Sequence, residues 1–133
     1  MSRGSRRLRL DYGECGLEAE VPADAHILDM ADVPGLDDIE VRLAEALRGP
    51  IGAPSLARLA QQRKSACVVI SDITRPVPNA LILPPILDTL EAAGIDREAI
   101  TILVGTGLHR PNEGEELIRL VGADVAAAYR MVN

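Results

Sequence analysis

Ala66-Cys67-Val68-Val69-Ile70 and Ile100-Thr101-Ile102-Leu103-Val104 decide the fold. Each is a continuous aliphatic run of strand length, rich in β-branched residues, of the kind found in parallel strands covered on both faces. On that reading Cys67 is a small core residue. Between the runs lie Pro84-Pro85, then Ile86, Leu87, Leu90 and Ala93 at helical spacing, then Gly94. Proline suits the opening of a helix and glycine its close, so a helix begins at the prolines and ends at Gly94. Strand, helix, strand is a βαβ unit with the two strands as parallel neighbours.

Working outward, Asn112 with Glu115 can cap a further helix through Leu117, Leu120 and Val121, ending at Gly122. Ala123 to Arg130 can form one more. Met131-Val132-Asn133 reads as the opening of another strand, as expected of the N-terminal piece of something longer. Upstream, Leu8 and Leu10 alternate with Arg7 and Arg9, a turn follows at Gly13-Glu14-Cys15-Gly16, and Leu17, Ala19 and Val21 alternate with Glu18 and Glu20. That pattern is a β-hairpin, with a short strand expected at His26 to Met30. Leu36, Ile39, Leu43 and Leu47 mark an amphipathic helix that Asp37 and Glu40 can cap and Gly49-Pro50 stops. A shorter helix from Ser55 to Gln62 would bury Leu56 and Leu59. The fold class is α/β: an N-terminal hairpin, then βαβ units with a parallel core sheet and flanking helices, in a single domain over residues 1–133.

The chain of 133 residues is 47% hydrophobic and 26% charged, which excludes a disordered or disulfide-scaffold protein. Phe and Trp are absent, so the core is aliphatic and a base-stacking surface for nucleic acid is missing. Net charge is −6, and four arginines precede the first acidic residue, so everything after them is more acidic still. Such a body repels phosphate backbones; no nucleic-acid partner is expected. No apolar stretch is long enough for a signal peptide or a membrane span, and Cys15 and Cys67 form no CxxC. A cytoplasmic protein without a membrane partner follows.

Parallel strands send their following loops to one edge of the sheet, where open α/β folds bind ligands. The loops here are Ser71-Asp72-Ile73-Thr74-Arg75-Pro76-Val77-Pro78-Asn79 and Gly105-Thr106-Gly107-Leu108-His109-Arg110-Pro111-Asn112. Arg75 can grip a carboxylate or phosphate, or be a solvated arginine. Asp72 can orient Arg75 or His109, act as a base, or hold an Asx-turn. His109 can move protons near neutral pH, or lie idle at the surface. Gly105-Thr106-Gly107 allows close backbone approach, but neither GxGxxG nor the P-loop pattern is met. His26 has no Cys or His near it in sequence, so no protein-only metal site is visible. Glu113, Glu115 and Glu116 suit a helix N-terminus.

Asp72-Ile73-Thr74-Arg75-Pro76-Val77-Pro78 and Gly105-Thr106-Gly107-Leu108-His109-Arg110-Pro111 resemble the signatures of the nickel-pincer lactate racemase family, in order and at similar separation. The hairpin, the helix after it and the ending Arg130-Met131-Val132-Asn133 are similar too. The resemblance implies an N-terminal domain of a 2-hydroxyacid racemase or epimerase whose cofactor is a nickel pincer pyridinium mononucleotide. It implies that Asp72, Ile73, Thr74 and Arg75 line the cofactor and substrate pocket, with Arg75 on an anionic group and Asp72 fixing its orientation. His109 would be one of two acid/base histidines, one taking the hydroxyl proton while the α-hydrogen passes as hydride to the cofactor. The second histidine, the cofactor lysine and the nickel-binding histidine have no counterpart here; His26 and Lys64, the one lysine, do not match them. The implied partners are a small 2-hydroxyacid and a C-terminal domain of the same or another chain, without which the chain is inactive. The other readings are a non-catalytic domain binding a small carboxylate or mononucleotide, and one half of a split enzyme.

Overall fold

A computed structural model describes residues 4–13 and 15–133; Arg3 of the basic start and Glu14 of the expected turn lie outside the described residues. Residues 1–35 and 36–133 form two compact units.

The first unit holds the hairpin. Strand β1 (Ser5–Leu10) pairs antiparallel with β2 (Leu17–Pro22), Ser5 facing Pro22 and Leu10 facing Leu17. The two-residue side-chain period places Arg7 opposite Glu20, at 3.4 Å, and Leu8 opposite Ala19. The strand expected at His26 to Met30 is absent: these residues have no regular structure, and Leu28 and Met30 are exposed. Their alternation was too short to build a strand without a partner ladder.

The second unit is α/β. Its order is α1 (Ile39–Arg48), α2 (Leu56–Ala60), β3 (Ala66–Ser71), α3 (Asn79–Ala92), a 3₁₀ turn (Arg97–Ala99), β4 (Ile100–Gly105), α4 (Glu115–Val121), α5 (Ala123–Ala128) and β5 (Arg130–Val132). The three strands make one parallel sheet in the order β3-β4-β5, with Ser71 level with Gly105 and Leu103 level with Val132. Ile70, Ile100, Ile102 and Val104 face a core completed by Leu83, Leu87 and Leu90 of α3, Leu120 and Val121 of α4 and Val125 of α5.

Several expectations are corrected. The prolines do not open α3; Pro84 and Pro85 lie inside it, and the helix starts at Asn79. Each proline removes a donor to the carbonyl four residues back. Those carbonyls belong to Ala80 and Leu81, both exposed residues, so water can satisfy them. The stripe is consequently Leu83, Leu87 and Leu90, with Ile86 and Ala93 only partly buried. Helix α1 is capped by Asp38 in the left-handed region without a side-chain bond, rather than by Asp37 with Glu40, and none of its residues is fully buried. Ser55 caps α2 as a hydroxyl acceptor for Arg58 N–H, but Leu59 is exposed and Ala60 takes the buried position. The strands are not covered on both faces either. Cys67 and Val69 lie on the side of β3 away from the core, and both are exposed.

At the edge where β4 and β5 begin, Glu91 of α3 accepts from Arg97 Nε and Nη2 at 2.7 and 2.9 Å and from the Tyr129 hydroxyl at 2.6 Å, while the guanidinium stacks 5.4 Å from the Tyr129 ring centre. The Arg97 bonds first, then that of Tyr129, hold the Glu91 carboxyl down at about 2 against an ordinary 4.5. A depressed carboxylate stabilises the fold above its unfolded value and loses that contribution as pH falls through the folded one. The parent is therefore expected to lose its stability advantage over Glu91→Gln between pH 4.5 and about 2. Urea midpoints at stepped pH measure it; a gap that does not change with pH refutes it.

Candidate functional site

Because β3 and β4 are parallel with Ser71 level with Gly105, the loops that follow them leave side by side. Asp72 is the first residue past β3 and is buried to 3% exposure. Its carboxylate is held from both sides. One oxygen accepts from Thr74 N–H at 3.2 Å and from the Thr74 hydroxyl at 2.6 Å, an Asx-turn; the other meets His109 Nδ1 at 2.5 Å. The bond from the Thr74 hydroxyl, then the one from His109, keeps the Asp72 carboxyl below the ordinary carboxylate value. An ionised carboxylate only accepts, so Nδ1 carries a proton and the neutral ring offers Nε2 as its basic nitrogen.

His109 owes its position to a tight turn: its N–H donates to Thr106 carbonyl at 2.9 Å, and Gly107 takes φ +59°, a conformation open to glycine and costly for other residues. The imidazole is 53% exposed, so a basic nitrogen backed by a buried carboxylate faces solvent. Such a pair can take a proton from a bound hydroxyl and return it.

Two buried asparagines complete the site, and sequence reading missed both. Asn112 was read as a helix cap, but α4 is capped by Gly114 with no side-chain bond. Asn112 is instead 2% exposed and its side-chain carbonyl accepts from Ile73 N–H at 3.1 Å, joining the two loops. Asn79, at the start of α3, is 4% exposed, and its Nδ2 has no hydrogen-bond partner among the described residues. A polar residue at the end of a loop next to a strand terminus is the only signal either leaves in the sequence.

Of the sequence-predicted residues, Asp72, Thr74 and His109 are brought together. Ile73 is half-buried between them, its N–H on Asn112. Arg75 stays apart: it is exposed, and among the described residues its guanidinium makes no hydrogen bond or ion pair, so Asp72 orients His109 here rather than Arg75. Glu116 is paired with Arg110 through bonds of 2.6 and 2.7 Å rather than merely flanking a helix start. Among the described residues no group of three or more His, Cys, Asp or Glu is placed to hold a metal ion, and no helix is long and apolar enough to cross a membrane.

Comparison with known proteins gives the family of the chain. Residues 12–133 match the lactate racemase N-terminal domain. The lactate racemase of Lactiplantibacillus plantarum is 41% identical over 81 residues, 61% of this chain and 19% of that protein. That of Thermoanaerobacterium thermosaccharolyticum is 36% identical over 136 aligned positions, 94% of this chain and 30% of that protein. The structure of the lactate racemase apoprotein from the latter organism superposes with a TM-score of 0.70 at 28% identity, covering 96% of this chain and 30% of the other. The chain thus spans less than a third of the length of these relatives. With its two loops, its parallel sheet and this match over nearly its whole length, the chain belongs to the lactate racemase N-terminal domain family.

Proposed function

We propose that this chain is the N-terminal part of a 2-hydroxyacid racemase or epimerase acting on lactate-like substrates, with the remaining catalytic groups supplied by a C-terminal domain of the same or another chain. The observation that carries it is the Asp72–His109 pair, assembled from two loops at the ligand-binding edge of the sheet in a chain of this family.

In this reading His109 Nε2 removes the proton of the substrate hydroxyl, and Asp72 steadies the imidazolium that forms. Asp72 itself stays ionised, as its bonds to Thr74 and His109 favour. Arg75, whose guanidinium has no partner among the described residues, holds the substrate carboxylate or another anionic group through a planar fork of donors. Two donors without a partner among the described residues, Arg75 in the β3–α3 loop and the buried Asn79 Nδ2 at the start of α3, suit an anion, and so fit the phosphate of a nickel pincer pyridinium mononucleotide as well as a carboxylate. When bound, that cofactor supplies a reversible acceptor for the α-hydrogen. Inversion needs a second base on the opposite face, which the proposed C-terminal domain would supply. The protein works in the cytoplasm.

A chimera tests this. Residues 12–133 replace the matching segment of the T. thermosaccharolyticum lactate racemase, and interconversion of the lactate enantiomers is followed after cofactor loading. Turnover by the chimera and none by the 133-residue chain alone is the expected result. A folded, loaded chimera without turnover, or racemisation by the chain alone, overturns the reading.

A further inference from the structure

Asn112 uses every polar group it owns. Its side-chain carbonyl accepts from Ile73 N–H at 3.1 Å, its Nδ2 donates to Glu116 at 3.4 Å, its backbone N–H donates to Asn133 Oδ1 at 3.1 Å, and its backbone carbonyl accepts from Asn133 Nδ2 at 3.0 Å. The bond to Ile73 enters the peptide between Asp72 and Thr74, the two ends of the Asx-turn that aims the carboxylate. Asn112 is also three residues from His109 in the opposite loop. It is therefore a direct tie between the halves of the Asp72–His109 pair, in addition to the pair's own bond. Asn133, just past β5, grips the Asn112 backbone as a neighbouring strand would, extending the β4–β5 pairing to the loop through a side chain.

We propose that Asn112, clamped by Asn133, is a positioning residue that sets the Asp72–His109 geometry and with it the tautomer of His109. A buried amide with all its partners made is rigid, and losing one partner leaves a buried donor or acceptor unpaired. With Asn112 in place, Ile73 N–H is pinned, Asp72 keeps its angle to the ring, and the proton stays on Nδ1. Without it, the β3–α3 loop turns away from the β4–α4 loop and the carboxylate no longer selects Nδ1. The inference rests on His109 acting through Nε2 in the proposed reaction, but it concerns the chain's own residues and is tested without cofactor or substrate.

The ratio of the Nδ1–H to Nε2–H forms of His109 is read from its ring nitrogen shifts in the 133-residue chain, at a pH where the ring is neutral. Asn112→Ala is expected to lower that ratio about fivefold, the loss of roughly one hydrogen bond of coupling. Asn133→Ala removes the clamp and is expected to lower the ratio in the same direction. An unchanged ratio in Asn112→Ala overturns the proposal. If that variant fails to fold, an unchanged ratio in Asn133→Ala overturns it. None of these outcomes bears on whether the chimera racemises lactate, so the two readings fail separately.

Discussion

His109→Ala in the chimera is expected to lower kcat/KM for lactate racemisation by about 10²- to 10⁴-fold, the usual worth of a positioned general base. Asp72 cannot replace it, being buried, ionised and committed to Thr74 and His109. Arg75 has no basic lone pair. The imidazole is 53% exposed, so its removal creates no cavity and the fold should survive. Thermal unfolding and racemisation measured on the same preparation separate the two effects. Near-parent turnover would remove His109 from the reaction, whereas a large fall in melting temperature would show that the pair with Asp72 is structural.

The second large effect lies in the core. Ile102 is fully buried at the centre of β4, which has a strand on either side and helices over its inward face. Ile102→Ala removes three carbon atoms from a core whose fully buried members are Leu, Ile, Val and Ala, with Tyr129 and Met131 partly buried against it. A loss of about 2 to 5 kcal/mol is expected, from a total of roughly 5 to 15 kcal/mol for a domain of this size. Val69→Ala, on the exposed face of β3, is expected to change stability by only about 0.5 kcal/mol. Equal losses at the two positions in urea unfolding would mean that the sheet is buried equally on both faces.

Much of the architecture is legible in the residues because periodicity is local. The alternation from Leu8 to Val21 specifies a hairpin, the aliphatic runs at residues 66–70 and 100–104 specify parallel strands, and Gly94, with φ +94°, ends α3 where a glycine is needed. Where the reading failed, the deciding factor was environmental. Pro84 and Pro85 sit inside α3 because the residues whose carbonyls they orphan are exposed, and a helix interior can accept proline when water is at hand. Cys67 and Val69 are exposed because an aliphatic run states that a strand can be buried on both faces, not which elements of this chain cover them. Asn112 was assigned to a cap by spacing, yet besides Glu116 its partners lie 39 and 21 residues away, beyond any local pattern.

For the site, the sequence by itself determined which residues could carry the chemistry and that their loops leave one edge of a parallel sheet. It left open whether Asp72 serves Arg75 or His109. Only the tertiary structure decided that, because the register levelling Ser71 with Gly105 and the turn at Gly107 carry His109 across 37 residues of chain to a buried carboxylate, while Arg75, three residues from Asp72 but outside the Asx-turn, stays in solvent.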